Sequence, residues 1–467
     1  MGALGSTSHG GAPRPNIIVI LCDDLGYGDL GCFGNKIIRT PNLDKLAADG
    51  IRYTNAYSAA PVCSPSRVGL LTGRSPNRAG VFDWIPEAKE DAKNPRDLVH
   101  MRESETTIPK LLKQAGYATA MAGKWHCNAV FNSGAQPQPG DAGFDHWFAT
   151  QNNAYPSHEN PTNFVRNGKA VGEIKGFSCQ IVAEEGISWM EKRPDKPFFL
   201  YLTFHEPHEP IASPEELVTK YRDKAENEDL AEYFANVENV DIAVGKVMAS
   251  LVQMGISENT LVIFTSDNGP ETHLRYPGSK RSYGTPGPLK GMKLWTHEAG
   301  FRVPCIANWP KFVQPGQVID TPVSSLDFLP TFAKLAGNNP KDEDRLDGKD
   351  MPGVLDGADS PREKPLFWIY FNAINEQRVA MRDGEWKIMA KLDGGKLPKF
   401  QNIDEGNAPR VRDAALTDFL LYHLSEDISE TTDLSGMEPQ KFLEMRAKLE
   451  KAYREMTSTM HVWPVVK

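Results

Sequence analysis

Polar oxygen-bearing side chains directly follow two separate apolar runs of this chain. Asp23 and Asp24 follow the first run, and Asp267 and Asn268 follow the second. Carboxylate and amide oxygens suit a hard divalent cation such as calcium or magnesium, and they do not suit zinc. A single aspartate after a strand usually caps a turn, but four such groups at two matching strand ends favour a shared ligand. The spacing therefore predicts a metal site.

Histidines and a lysine follow two further apolar runs in the same way. Lys124 and His126 come after one run, and His205 and His208 come after the next. In open α/β sheets ligands bind at the carboxyl ends of the strands, where loops converge and helix N-termini point inward. We therefore expect these groups to lie beside the carboxylates, where they can bind anions and move protons.

The elements that must position these side chains alternate between apolar strands and amphipathic helices. Residues 40–50 carry a threonine and a proline at the start and a glycine at the end, which predicts a helix with both ends marked. Further helices are predicted at residues 108–116 and about 234–254, and each precedes a new strand. This alternation predicts an α/β fold with one large, mostly parallel sheet sandwiched between helices.

The pattern changes past about Trp368. Residues 378–390 predict two strands joined by an Asp-Gly turn, and a helix with one polar face is predicted at about 439–456. These features indicate a small α+β subdomain that carries an antiparallel sheet. The predicted segments are a flexible leader at 1–12, a catalytic domain at 13–368 and the C-terminal subdomain at 369–467.

Composition narrows the classes of function. The chain has 467 residues, of which 40% are hydrophobic and 24% charged, as in ordinary globular proteins. A net charge of −9 argues against a nucleic-acid partner, although local positive charge in a pocket can still bind an anionic substrate. Six cysteines are too few for a disulfide scaffold, and no apolar run is long enough to predict a membrane span. The first eleven residues lack the features of a signal peptide, so none is predicted in this chain.

A motif between the two carboxylate pairs carries a family resemblance. Cys63, Pro65 and Arg67 form a Cys-x-Pro-x-Arg pattern, and Thr-Gly-Arg follows at residues 72–74. With similarity along nearly the whole chain, the sequence resembles the type I sulfatases of the alkaline phosphatase superfamily. The resemblance implies a sulfuric ester hydrolase with an alkaline-phosphatase-like fold.

The resemblance also implies a nucleophile and a metal. In the family the motif cysteine, here Cys63, is converted to formylglycine (3-oxoalanine) by a formylglycine-generating or an anaerobic maturation enzyme. The hydrated aldehyde presents two hydroxyls, one that can bind the metal and one that can attack sulfur. A helix start at Ser64 and Pro65 would favour an anion there. The ion is usually Ca²⁺, with Mg²⁺ as the other choice, and the implied ligands are Asp23, Asp24, Cys63, Asp267 and Asn268.

Cations are expected around the sulfate. Arg67, Lys124 and Lys293 would stabilise the negative charge on its oxygens. Lys124 lies in a Gly-Lys-Trp-His motif of the family. Lys293 has the family's spacing of five positions before Glu298, whereas Lys290 has its Lys-Gly dipeptide and stays the second choice.

Two histidines would move the protons. A sugar alkoxide is a poor leaving group, so its oxygen should be protonated as the bond breaks, and His208 is the expected general acid. His126 is the expected base when sulfate is expelled. Other histidines, such as His146 and His461, are given no role.

Loops over the sheet are expected to select the substrate. Trp84 would stack on a sugar ring, although packing within the loop explains it equally well. We favour a sulfated carbohydrate of the galactose or N-acetylgalactosamine type. Further expected contacts to the substrate are Asp83, Asn152, Asn153, Arg166, His205 and Lys290.

Two alternatives stay open at this point. A phosphomonoester or phosphodiester hydrolase of the same superfamily would share the metal carboxylates, and dominant phosphatase turnover would identify it. A noncatalytic carbohydrate-binding relative would show an unmodified Cys63 or an empty metal site. The resemblance further implies a periplasmic or secreted protein.

Overall fold

The computed structural model describes residues 14–192, 196–338, 340–341, 345–354 and 360–465. The predicted leader at residues 1–12 lies outside these ranges. Within them, a large sheet occupies the centre of the molecule. Its strands are β1 (Asn16–Cys22), β2 (Ile51–Tyr57), β3 (Ala118–Lys124), β4 (His146–Thr150), β5 (Val165–Arg166), β6 (Lys169–Ala170), β7 (Phe198–Thr203), β8 (Thr260–Ser266), β9 (Arg302–Asn308), β10 (Gln317–Ile319) and β11 (Val323–Ser324).

The large sheet is mostly parallel, as predicted. Its strand order is β10-β2-β9-β8-β1-β7-β3-β4-β5-β6, and β11 pairs with β2. Strand β1 runs parallel to both of its neighbours, β7 and β8, and β3 continues the parallel arrangement. Antiparallel pairing occurs at β9 and at the β5–β6 edge. The strands that precede the candidate site residues are therefore adjacent in the centre of the sheet.

Helices cover both faces of this sheet because its central strands are apolar on both sides. The odd-numbered side chains of β1 face one core and the even-numbered side chains face the other. This is the burial expected of a parallel strand covered on both faces. The helices are α1 (Pro41–Ala48), α2 (Cys63–Thr72), α3 (Pro76–Ala79), α4 (Ile108–Gln114), α5 (Ser178–Glu191), α6 (Glu215–Thr219), α7 (Glu228–Gln253), α8 (Glu298–Phe301), α9 (Phe328–Leu335), α10 (Ala408–Asp413) and α11 (Pro439–Thr459).

Three of these helices were predicted in the catalytic region. The observed α1 and α4 lie within their predicted ranges. Helix α7 begins six residues earlier than the predicted residue 234. The reason is its N-cap, since the side chain of Asn227 accepts a hydrogen bond from the backbone N–H of Leu230 and acidic residues fill the first turn.

A second, smaller sheet follows near the C-terminus. It is antiparallel with strand order β12 (Leu366–Ile369), β13 (Val379–Asp383), β14 (Trp386–Leu392) and β15 (Leu416–His423). The predicted hairpin at 378–390 is therefore present as β13 and β14. The predicted boundary after residue 368 falls inside β12, so we propose that the subdomain begins at Leu366. No helix in the described residues combines the length and apolar character needed to span a membrane.

Candidate active site

The candidate site lies at the carboxyl ends of the four central strands. Asp23 and Asp24 follow β1, Asp267 and Asn268 follow β8, and Lys124 is the last residue of β3. These strands are neighbours in the order β8-β1-β7-β3, so their ends bring the side chains together. All five residues are buried.

The two acidic pairs are linked by hydrogen bonds. The Asn268 side-chain amide donates to Asp24 Oδ1 at 2.7 Å, and the backbone N–H of Asp24 lies 3.4 Å from Asp267 Oδ1. Asp24 itself has a φ of +65°, in the left-handed region that non-glycine residues rarely adopt. Such backbone strain clusters at functional sites, where the surrounding structure holds it in place.

Buried cations surround the carboxylates. Arg67 Nε donates to Asp267 Oδ2 at 2.8 Å, and the Lys124 ammonium donates to Asp23 Oδ2. The third cation, Lys293, lies 2.8 Å from Asp24. Burial opposes the charged form of Asp23, but these cations, Lys124 first, hold its pKa well below the usual range.

The acidic group fits a hard cation. Asp23 Oδ1 and Asn268 Oδ1 are buried oxygens that have no hydrogen-bond partner within the described part of the chain. A buried oxygen without a hydrogen-bond partner costs free energy unless a ligand binds it. Asp23, Asp24 and His208 also offer atoms that lie within 4.8 Å of one another, close enough to share an ion. Burial raises the pKa of Asp24 to about 6, because the neighbouring cations only partly offset the cost of its charge.

Lys124 reaches this position because a glycine precedes it. Gly123 has a φ of +112°, and a Cβ at this position would lie 1.8 Å from the carbonyl oxygen of Thr203. Only glycine therefore lets β3 approach β7 this closely beside the site. The Thr203 hydroxyl in turn donates to the carbonyl of Lys124 at 2.8 Å, which holds the end of the strand.

Cys63 is the first residue of α2, at the positive end of this helix, as predicted. Its side chain is buried, and burial raises the pKa of the thiol to about 11 although Lys124 and Lys293 favour the thiolate. The unmodified residue is therefore a neutral thiol, which is a poor nucleophile. Gly73, with a φ of +63°, ends the helix.

The two predicted proton carriers are held by backbone carbonyls. His126 Nε2 lies 2.8 Å from the carbonyl oxygen of Ile85, so this nitrogen carries the proton and Nδ1 has a free lone pair. His208 Nδ1 lies 2.6 Å from the carbonyl oxygen of Glu209, and its Nε2 lies 3.6 Å from Asp24 Oδ2. Burial lowers the pKa of His208 to about 3 and lowers that of His126 well below the usual range.

A pocket of about 600 Å³ opens over these residues. Cys63, His126, His208 and Lys293 all line it, so four predicted catalytic residues share one cavity. Predicted substrate contacts in the lining are Asp83, Trp84, Asn152 and Asn153.

Three predicted substrate residues do not line this pocket. His205 is buried behind it, and its Nε2 lies 2.8 Å from Thr150 Oγ1. The Lys290 ammonium donates to the carbonyl of Glu430 at 2.9 Å, which leaves Lys293 as the lysine at the site. The guanidinium of Arg166 pairs with Glu185 of α5. Each of these three side chains has another partner in the structure, and its contact with the substrate stays a prediction.

Sequence reasoning missed much of the pocket wall. The unpredicted lining residues come from loops with no recognisable motif, and several belong to the C-terminal subdomain. Their sequence spacing does not indicate that they meet, and only the three-dimensional structure brings them to the site. They are Val62, Arg96, Glu271, Arg275, Tyr276, Leu294, Tyr370, Asn372, Lys399, Phe400 and Gln401.

Comparisons with known proteins find similarity along nearly the whole chain. The sulfatase family model matches residues 15–338, and a model described as N-sulphoglucosamine sulphohydrolase, C-terminal, matches residues 292–397. N-acetylgalactosamine-6-sulfatase of Mus musculus is 34% identical over 466 residues, which cover 93% of this chain and 85% of that protein. Arylsulfatase A of Homo sapiens is 33% identical over 453 residues, covering 91% and 84%.

A solved structure is similar over the same length. The crystal structure of Ps i-CgsB in complex with k-i-k-neocarrahexaose has a TM-score of 0.78 and 29% sequence identity to this chain. The alignment covers 97% of this chain and 95% of that chain. The similarity therefore includes both the large sheet and the small antiparallel sheet.

Proposed function

Because the chain belongs to the sulfatase family and is a sulfuric ester hydrolase, we propose that it removes sulfate from a sulfated carbohydrate of the galactose or N-acetylgalactosamine type. The similarity to N-acetylgalactosamine-6-sulfatases and to a protein crystallised with a neocarrahexaose supports this substrate class. The pocket volume of about 600 Å³ also suits a sugar larger than the sulfate group alone.

We expect the sulfate group to bind at the end of the pocket that Cys63 and Lys293 line. Lys293 would pair with a sulfate oxygen there, while Lys124 and Arg67 add fixed positive charge behind it. Because the cations are already positioned, they need not reorganise as negative charge shifts during sulfuryl transfer.

We propose that Asp23, Asp24, Asp267 and Asn268 hold a divalent cation, calcium or magnesium. When bound, the ion would polarise the sulfate and acidify a hydroxyl on residue 63. When Cys63 is converted to formylglycine, its hydrated aldehyde would supply the attacking hydroxyl. An unmodified Cys63 would be a weak nucleophile at neutral pH, because burial raises the pKa of its thiol to about 11.

His208 would protonate the oxygen of the leaving sugar. Its Nδ1 is engaged by the carbonyl of Glu209, so Nε2 is the nitrogen that gives the proton. In the free protein this imidazole is neutral, since burial lowers its pKa to about 3. A bound sulfate ester adds a negative charge to the pocket and thereby favours the protonated imidazole.

His126 would accept a proton when sulfate is released. Its Nε2–H donates to the carbonyl of Ile85, and Nδ1 has no hydrogen-bond partner among the described residues. An unpartnered, neutral nitrogen in the pocket lining is an available base.

One observation supports this function most directly. Cys63, Lys293, His126 and His208 come from four different segments of the chain, and all four line one pocket above a buried acidic cluster. A nucleophile position, a cation and two proton carriers are the parts that sulfate ester hydrolysis needs.

The test is sulfate release from a panel of sulfated mono- and oligosaccharides, with an aryl sulfate and an aryl phosphate beside them. The mass of the peptide that contains residue 63 is measured first, so that only formylglycine-containing protein is assayed. Release from one sugar regioisomer would support the proposal and name the substrate. If fully modified protein cleaved only the phosphate ester, the phosphohydrolase alternative would replace it.

Two further proposals accompany this function. A formylglycine-generating or anaerobic maturation enzyme would act on Cys63 before the fold buries it. The family resemblance favours a periplasmic or secreted location, where sulfated polysaccharides are met.

A further inference from the structure

One part of the pocket is not used by the proposed sulfate chemistry. Two segments that are far apart in the sequence form it, one following α3 in the catalytic domain and one in the C-terminal subdomain. The residues concerned are Asp83, Trp84 and Arg96 from the first segment, and Tyr370, Asn372, Lys399 and Phe400 from the second. We call this part the outer wall.

A single buried carboxylate joins the two halves of the outer wall. Asp83, which is 7% exposed, accepts hydrogen bonds from the Tyr370 hydroxyl at 2.9 Å and from the Asn372 amide at 2.7 Å. It also pairs with the guanidinium of Arg96. These partners fix the outer wall before any ligand arrives, and such preorganisation favours binding.

Trp84 offers an aromatic surface on this wall. The Arg96 guanidinium lies 4.9 Å from the centre of the indole ring and covers one of its faces. Even so, 40% of Trp84 is exposed, and the side chain lines the pocket. A rigid, partly exposed indole in a pocket provides the flat surface on which the apolar face of a sugar ring can pack.

Lys399 supplies a charge to the lining of the same pocket. Its neighbour Phe400 is fixed by two hydrogen bonds to Asn372, with the Phe400 N–H donating at 3.0 Å and the Asn372 amide donating to the Phe400 carbonyl at 2.8 Å. Lys399 itself is exposed. Among the described residues no ion pair engages its ammonium.

The other charges in the pocket lining are paired. The pairs are Arg96 with Asp83, Arg275 with Glu271 at 2.7 Å, and Lys293 with Asp24 at 2.8 Å. Lys399 is therefore an uncompensated positive charge on the outer wall. An uncompensated cation in a pocket favours an anionic ligand group.

We propose that Trp84 and Lys399 form a second sugar subsite, which binds the sugar linked to the sulfated one through its ring face and through an anionic group, either a carboxylate or a second sulfate. The inference rests on the proposed function, because it defines the wider substrate of the same pocket. It makes the preferred substrate an oligosaccharide with negative charge on two adjacent sugars.

The test compares Lys399→Gln with the wild-type protein on four substrates. These are 6-sulfated N-acetylgalactosamine alone, and the same sugar linked to glucose, to glucuronic acid or to a sulfated galactose. We expect K399Q to raise KM about 2- to 5-fold for the substrates with a second anion, with kcat unchanged. The monosaccharide and the glucose-linked substrate should be unaffected. A larger effect on the uronic acid or on the sulfated galactose would identify the anionic group.

Lys396→Gln is the matched control, because Lys396 is an exposed lysine three positions away that does not line the pocket. Trp84→Ala should raise KM for all three disaccharides and not for the monosaccharide, and Trp84→Phe should restore most of the affinity. The anion preference should weaken between 50 and 500 mM salt, since an exposed charge is screened. Equal losses of K399Q on charged and neutral disaccharides, or equal effects of K396Q and K399Q, would overturn the subsite.

A binding measurement separates this proposal from the proposed function. Calorimetric titration of the same disaccharides into Cys63→Ala protein, with and without K399Q, needs no turnover. If the wild-type protein released no sulfate but the anionic disaccharides bound more weakly to the K399Q variant, the function would be wrong and the subsite right. If affinity did not depend on the second anion or on Lys399, the subsite would be wrong whatever the activity.

Discussion

Replacing Lys387 with methionine should destabilise the protein by about 3–5 kcal/mol. Lys387 lies on β14 of the small sheet and is fully buried. Its ammonium lies 2.9 Å from Glu298 Oε1 and 2.9 Å from Glu430 Oε1, and both glutamates are also fully buried. Methionine keeps most of the aliphatic volume but leaves Glu430 without its cation, so the cost is that of an uncompensated buried charge.

The electrostatic environment supports a loss of this size. Burial alone would raise the pKa of Glu298, yet Lys387, with two arginines, holds this pKa at about 2. For a 467-residue chain the entropy of unfolding is about 1 kcal/mol per degree, so the expected decrease in Tm is about 3–5 °C.

Thermal unfolding followed by circular dichroism measures this decrease. Lys391→Met is the control, because Lys391 is on the same strand and pairs with Glu376 at the surface. It should leave Tm within about 1 °C. Adding Glu430→Gln to K387M should recover part of the loss, because the unpaired charge is then removed. A Tm of K387M within about 1 °C of the wild-type value would refute the reasoning.

Three other predictions concern the site. Cys63→Ala should abolish sulfate release and leave the circular dichroism spectrum unchanged. Cys32→Ala is the control, since Cys32 lies outside the pocket, and it should retain sulfate release. Retained activity in C63A would remove Cys63 from the mechanism. His208→Gln should lower kcat on sugar sulfates about 10²- to 10⁴-fold but far less on nitrophenyl sulfate, whose oxygen leaves without a proton, and equal losses would contradict a general acid. Calcium or magnesium at about 100 times its Kd should raise the Tm of chelator-treated protein by about 3 °C, as measured calorimetrically. In the Asp23→Asn variant the ion should raise Tm far less. A full increase in the Tm of D23N would place the ion elsewhere.

The central fold could be predicted because the pattern that indicates each strand or helix lies within one short stretch of sequence. Apolar runs that end in polar residues predict strands that carry site groups, and parallel strands bring those ends to one edge. The same logic placed Asp23 and Asp267 together although they are far apart in sequence. The spacing of five positions before Glu298 favoured Lys293 over Lys290, and the Lys293 ammonium lies 2.8 Å from Asp24.

The outer part of the site was less predictable, because it depends on contacts between distant loops. His205 follows β7 as expected, yet its side chain turns into the core and pairs with Thr150. Arg166 is matched by Glu185, a partner on α5 that no local pattern indicates. Lys399 lies in a segment with no motif, and hydrogen bonds between Phe400 and Asn372 and from Arg378 to the carbonyls of residues 397 and 398 hold this segment in place.

The pair between Arg67 and Asp267 also has a consequence for timing during synthesis. These residues are 200 positions apart, so the aspartate that pairs with Arg67 of α2 is made long after the helix sequence itself. At about 5–20 residues per second, the ribosome needs roughly 10–40 s to cover that distance. Throughout this interval Cys63 belongs to a chain that cannot yet complete its fold, and the proposed maturation enzyme has that time to reach it.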